Sequence, residues 1–229
     1  MVPLLNIDAG ELSDEAGELY ELAHVLNVAC GGHAGDESSM TKLAHACRRT
    51  GAALGAHPSY PDREGFGRRA VTLSTASIVE TVAEQCHALA SVARRSDVPL
   101  RYMKLHGALY HAAAREPDVA DAALRGALEA LGWEITVIGP RDGALAARAL
   151  DLGMRFAVEG FADRGTRPDG SLVPRGEAGA LVADPALAAE RARSLAAMVD
   201  TVCVHGDGES AVAIARAVRA VLDELGRGA

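Results

Sequence analysis

A seven-stranded parallel (β/α) barrel is the fold this sequence predicts, on three observations. Short runs rich in Val, Ile and Leu recur along the 229 residues, and helical patterns fill the gaps between them. Such runs read as strands buried on both faces, the usual state of strands in parallel sheets. Strict β–α alternation then implies right-handed crossovers between parallel neighbours. Seven units suit a barrel one strand short of the eight-stranded form better than a short open sheet. Finally, chemically active side chains cluster at the C-terminal ends of the runs, where a parallel barrel carries its active site. A doubly wound open sheet is the alternative. Its G-x-G-x-x-G fingerprint is missing, because Asp8-Ala9-Gly10-Glu11-Leu12 follows the first strand instead.

The strands are expected over residues 2–8, 26–29, 52–56, 100–104, 134–138, 155–159 and 201–205. The helix after Asp36 carries Met40, Leu43, Ala44 and Cys47 on one stripe, and Gly51 is placed to stop it. After Thr75, the residues Ile78, Val82, Cys86, Leu89 and Ala93 make a second stripe. Further helices are expected over 15–25, 118–131, 141–152, 185–199 and 209–225. Two long irregular stretches, 57–69 and 161–179, are rich in Gly, Pro, Arg and Asp. Loops that long inside a compact fold are usually functional.

Hydrophobic residues make up 49% and charged residues 24%, a globular composition. One domain over 1–229 is expected, since a chain this long buries a sizeable core without disulfides. The net charge of −8 argues against nucleic-acid or anionic-membrane partners, which need clustered positive charge. It is compatible with a small anionic substrate held by local groups. The cysteines Cys30, Cys47, Cys86 and Cys203 form no C-x-x-C pair, so a zinc ribbon or thioredoxin-like motif is absent. Free thiols, an N-terminus without signal-peptide character and the lack of a long apolar run fit a cytoplasmic location. Of 23 basic residues only Lys42 and Lys104 are lysine.

Four of the histidines, His24, His45, His87 and His111, are expected inside helices as surface or packing residues. His33, His57, His106 and His205 stand at or just past strand ends. Asp8, Lys104 and Glu159 also end strands, so six of the seven strands deliver an ionisable group to one rim. Asn6 and Asp8 share one side of the first strand. Asp8, His33, His57, Lys104, His106 and His205 are therefore the catalytic candidates. Strand-end His and Asp suit a divalent metal, and they equally suit acid–base work without one. Their spacing does not choose. Lys104 suits neutralisation of an anionic substrate or transition state, or a structural pairing. Asp36 reads either as a ligand contact or as a helix N-cap. Walker A, G-x-S-x-G and H-E-x-x-H sequences are absent.

Six blocks in order resemble the LamB/YcsF family. They are Asn6-x-Asp8-x-Gly10-Glu11, the block from Asn27 to Asp36, the loop from Gly55 to Arg69, and Lys104-x-His106-Gly107-Ala108-Leu109-Tyr110. Phe161-Ala162-Asp163-Arg164-Gly165 with Asp169 to Arg175, and Cys203-Val204-His205-Gly206-Asp207, complete the set. The resemblance implies a seven-stranded barrel-like fold of the glycoside hydrolase/deacetylase type. It further implies the A component of a bacterial 5-oxoprolinase, working with subunits B and C to open 5-oxo-L-proline to L-glutamate. ATP is the implied co-substrate, and a divalent metal is left open. Phosphorylating the lactam oxygen would activate an otherwise poor electrophile. Substrate contacts fall to Asn6, Glu11, Asn27, Asp36, Asp62, Arg68, Asp163, Arg164 and Asp207. The chain departs from the family pattern at Leu4, Gly32, Leu105 and Thr166, where an acid, an aromatic, a proline and a tyrosine are usual. It is also short between Ala180 and Thr201. A metal-dependent deacetylase or amidohydrolase, and a non-catalytic lactam-binding component, are the alternative functions.

Overall fold

Strand β1 (Leu4–Ala9) pairs in parallel with both β2 (Val25–Ala29) and β7 (Thr201–His205), and the second pairing closes the sheet. Around the ring come β3 (Ala53–His57), β4 (Leu100–Lys104), β5 (Thr136–Gly139) and β6 (Arg155–Phe161), each parallel to its neighbours. The computed structural model describes residues 2–167 and 171–227; Asp169 and Gly170 of the fifth sequence block lie outside them. A closed all-parallel ring excludes the open doubly wound sheet. It also leaves no unpaired edge strand.

The helices between the strands are α1 (Glu18–Leu22), α2 (Glu37–Thr50), α3 (Thr75–Arg95), α4 (Gly107–Arg115), α5 (Pro117–Leu131), α6 (Ala144–Asp151) and α7 (Pro185–Leu195), with α8 (Ala211–Arg227) after the last strand. Their ends follow local chemistry. Asp36 caps α2 in a reciprocal capping box with Ser39, and Gly51 ends that helix at φ 82°. The expected first helix begins three residues late because Glu15 folds the preceding turn. Its carboxylate accepts the Gly10 and Glu11 amides and the Tyr20 hydroxyl. His24 lies outside any helix, just before β2, where its Nδ1 accepts the Leu5 amide at 2.9 Å. Helix α4 holds His111, as expected, but lies outside the expected helix ranges; it begins at Gly107, directly past His106.

Side chains along each strand alternate between the ring of helices and the barrel axis. Leu5, Ile7, Leu26, Val28, Leu54, Met103, Val202 and Val204 are fully buried in the apolar core. The intervening positions Asn6, Asp8, Asn27, Lys104, Thr201 and Cys203 bond to one another across the axis. The upper barrel is thus a polar network inside an apolar sleeve. Among the described residues no helix is long and apolar enough to cross a membrane.

Candidate active site

The floor of the site is built around Lys104. Its Nζ lies 2.9 Å from Asp8 Oδ1, 2.7 Å from Glu159 Oε1, 3.3 Å from Asn6 Oδ1 and 3.1 Å from Cys203 Sγ. Asn27 Nδ2 donates to Asp8 Oδ1 at 2.9 Å and to Asn6 Oδ1 at 2.8 Å, and Asn6 Nδ2 donates to Thr201. Only 2% of the Lys104 side chain is exposed, so its charge depends on the two carboxylates. The carboxylates differ in environment. Burial pushes Asp8 up, but the opposing pull of His57, Lys104 and His205 wins and holds it well below the usual carboxylate range. Burial pushes Glu159 up against the pull of Lys104. Neither Glu159 oxygen has a well-directed hydrogen bond.

Above this floor stand Glu11 and three imidazoles. His33 and His106 stack with ring centroids 3.6 Å apart, and His57 meets His106 edge-on at 4.9 Å. Glu11 Oε1 is 3.0 Å from His33 Nε2, 3.2 Å from His106 Nδ1 and 3.7 Å from His57 Nε2. Burial holds His57 down to about 3, so Lys104 is the lasting cation beside Asp8 at neutral pH. Burial also lowers His33. For Glu11, burial acts upward, and the adjacent His106 and His33 imidazoles overcome it and draw it well below the usual carboxylate range.

The loop between β3 and α3 locks this cluster from above. Phe66 sits at φ 56°, a left-handed conformation that costs a non-glycine residue about 1 kcal/mol or more. Its carbonyl is 3.0 Å from His106 Nε2, and its ring meets His33 edge-on. Gly67 (φ 65°) follows; a Cβ there would lie 2.9 Å from both His106 and His33. The cluster therefore closes only around a glycine.

His205 completes the rim. Its backbone amide and Nδ1 bond Asp163 Oδ2 at 2.7 and 2.9 Å, leaving Nε2 3.8 Å from Asp8. Burial pushes His205 down, but Asp163 pushes it up and prevails; Asp163 is lowered in turn. The sign of the pH effect follows. Asp163 stabilises the fold above its unfolded value of 3.8 and loses this as pH falls through its depressed folded pKa. His205 stabilises fully below 6.5 and loses this as pH rises through its raised folded pKa. The stability advantage over His205→Gln should therefore peak between pH 3.8 and 6.5. Thermal melts across pH check this; a pH-independent difference would refute it.

A cavity of about 1300 Å³ opens from these groups toward α4, α7 and the loop after β6. Asp8, His57, Lys104, His106, Glu159 and His205 line its inner end. Arg68, Arg141, Arg164, Arg167, Arg175 and Arg191 line its outer wall, giving an otherwise acidic chain a cationic pocket. Arg68 and Arg175 both pair with Asp207.

A sequence model of the LamB/YcsF family matches residues 5–228. The chain belongs to the LamB/YcsF family. It is 40% identical over 242 aligned positions to the A component of 5-oxoprolinase from Chloroflexus aggregans, covering 97% of this chain and 95% of that one. It also superimposes on the crystal structure of a lactam utilization protein from Thermus thermophilus with a TM-score of 0.89. That match has 31% identity and covers 99% and 98% of the two chains.

Within this LamB/YcsF chain, the residues singled out from sequence divide into four groups. Asp8, His57, Lys104, His106 and His205 meet at the cavity's inner end, while His33 lies behind His106 as its stacking partner. Asn6, Asn27, Glu11 and Asp163 are buried and hold those groups in place. Arg68 and Arg164 line the outer wall; Arg164 donates to the Ala180 and Val173 carbonyls, and Asp207 anchors Arg68. Asp36 and Asp62 stand apart from the cavity. Asp36 caps α2, and Asp62 pairs with Arg69 and the Gly65 amide within its own loop.

Glu159 is the principal addition to the site. Its place at a strand end is visible in the sequence, but its pairing with Lys104 is not. Tyr110 and Cys203, both inside the family blocks, also reach this floor: Cys203 touches Lys104, and Tyr110 is buried at the cavity wall beside Phe161. Glu15, which folds the turn carrying Glu11, has no signal beyond its charge.

Proposed function

We propose that this chain opens the lactam of 5-oxo-L-proline as the A component of an ATP-dependent 5-oxoprolinase, acting with subunits B and C to give L-glutamate. The observation that carries the reading is the pair of carboxylates on Lys104. Environments that push two neighbouring carboxyl groups in opposite directions mark one as base and the other as acid. Asp8, kept ionised, accepts a proton from water adding to the lactam carbon. Glu159, whose carboxyl is pushed up, delivers a proton to the ring nitrogen as the C–N bond breaks. Lys104 holds both in register.

A ring amide needs activation before water adds. Transfer of the ATP γ-phosphoryl group to the lactam oxygen supplies it. Water addition and C–N cleavage then leave an acyl phosphate, which a second water hydrolyses to glutamate and phosphate. The sequence has no Walker A loop, so phosphate contacts fall to the arginine wall or to a partner chain. The arginines also suit the carboxylate of 5-oxoproline. The names of the Chloroflexus and Thermus relatives support the same substrate class.

The test combines this chain with subunits B and C, 5-oxo-L-proline and ATP, and follows glutamate release. Turnover should require this chain and ATP. Glu159→Gln should lower it by about 10²–10⁴-fold with folding intact, the range for loss of a general acid. ATP-independent cleavage by the chain alone, or full turnover without the chain, would overturn the reading.

A further inference from the structure

We propose that Glu11, His33, His57 and His106 form a binding site for one first-row divalent cation, with Zn²⁺ the best match to three imidazoles and a carboxylate. The far sides of the rings fix the tautomers. His57 Nδ1 lies 2.8 Å from the Lys104 carbonyl, and His106 Nε2 lies 3.0 Å from the Phe66 carbonyl. A carbonyl oxygen only accepts, so both of these nitrogens carry hydrogen. In the neutral rings the remaining nitrogens, His57 Nε2 and His106 Nδ1, then hold lone pairs. These two atoms face each other at 3.0 Å. Two lone pairs at that separation repel unless something positive lies between or beside them. Backbone carbonyls on the far nitrogens are also the usual support for metal-bound histidine.

The spacing fits a metal. Tetrahedral bonds of about 2.0–2.1 Å place neighbouring ligand atoms about 3.3 Å apart. The separations here are 3.0 Å for His57–His106, 3.0 Å for His33–Glu11, 3.2 Å for His106–Glu11 and 3.7 Å for His57–Glu11. All four ligand atoms lie within 4.8 Å of one another. The second oxygen of Glu11 and Nδ1 of His33 are buried without any hydrogen-bond partner, the state of a polar cluster built for something further. His57 and His106 line the cavity, which provides an approach route. A second grouping, Asp8, Cys203 and His205, does not qualify, because the Lys104 ammonium already stands 3.1 Å from both Cys203 Sγ and Asp8 Oδ2.

The site stands independently of the lactam reading, since metal binding is read without turnover. A bound cation there would lie next to Asp8 at the inner end of the cavity, placed to polarise a substrate oxygen or a water. The full chain, stripped with a chelator, is titrated with Zn²⁺ against a competing dye and separately with Co²⁺. The expected result is a single equivalent bound, with visible Co²⁺ bands of a tetrahedral site and an X-ray absorption spectrum showing mainly imidazole nitrogen. Affinity should fall by about 10²-fold or more in His57→Ala and in Glu11→Gln. His87→Ala, on the exposed face of α3, should bind as the parent does. Absorption measured on the unmodified chain decides the matter even where a variant fails to fold. Failure of the folded parent chain to bind either ion, or a spectrum without histidine ligands, would overturn the proposal. The His57–His106 contact would then be a shared proton.

Discussion

Lys104→Met should destabilise the chain by about 3–5 kcal/mol, the usual consequence of removing one partner from a buried ion pair. In a chain of this size that corresponds to a fall in melting temperature of roughly 10 °C. The cause lies in what remains. Asp8 and Glu159 would face each other in a sealed floor, with 2% or less of either side chain exposed and no cation between them. The buried Asp8 carboxylate, deprived of its counter-charge, would be driven to take up a proton as Glu159 does, and the division of labour between base and acid would disappear. Turnover should therefore be lost as well. Lys104→Arg is no remedy. Carboxylate, amide and thiol atoms already crowd within 3.3 Å of Nζ, which suits a compact ammonium and not a broad planar guanidinium. Lys42→Arg, on the exposed face of α2, should be silent. Thermal melts and glutamate release check these outcomes together. A normally folded, active Lys104→Met chain would contradict them.

The same crowding changes how Lys104 works. In the sequence alone, it suits either a substrate oxygen or a structural pairing. In the fold, Asp8, Asn6, Glu159 and Cys203 already surround its ammonium. In the proposed mechanism Lys104 is therefore a positioning residue, acting through the ionisation of Asp8 and Glu159. Loss of stability alongside loss of turnover is the signature of that role.

Much of this architecture is legible in the sequence because parallel strands carry their own label. Apolar runs such as Val202–Val204 can be buried only between helices and barrel axis. A histidine or aspartate just past such a run must sit at the common rim. Asn6 and Asp8, two residues apart, mark the polar stripe of β1. The partners of that stripe depend on register between strands. Asp8 lies opposite Asn27 on β2 and His205 on β7, and Glu159 reaches Lys104 from β6 across two interfaces. No local pattern encodes those matches.

Other positions stay ambiguous in the sequence for a different cause. Asp36 and Asp62 belong to glycine-rich loops beside residues of the histidine cluster, but a carboxylate capping a helix looks like one facing a ligand until its backbone partners are known. Helix α4 is foreshadowed only by the expectation that His111 is helical; its bounds escape sequence reasoning because its start follows immediately on the His106-Gly107 rim. His24 falls outside its expected helix because α1 is only five residues long and ends early. The departure at Gly32 has a local explanation. A Cβ there would lie 2.3 Å from Gln85 Oε1, so Gln85 occupies the space a larger residue would need. Leu4 stands at the N-terminal end of β1, on the opposite side of the barrel from the rim, and does not touch the catalytic floor.

Asp8→Asn tests the central claim, that the polar floor of this barrel performs the ring opening. Asparagine matches aspartate in shape and can still accept from Asn27 and Lys104, so the substitution removes charge with little change in packing. Its effect should be large because it acts twice. The base is lost directly. Glu159, left as the only carboxylate beside the Lys104 ammonium, is drawn toward ionisation and loses the proton it donates. The measurement is ATP-dependent glutamate release from 5-oxo-L-proline by the Asp8→Asn chain assembled with unaltered partner chains. Assembly and melting behaviour should stay close to the parent, with turnover reduced by about 10³-fold or more. A folded, assembled Asp8→Asn enzyme with turnover within about threefold of the parent would place the chemistry elsewhere, since a lost general base costs about 10²-fold at the least.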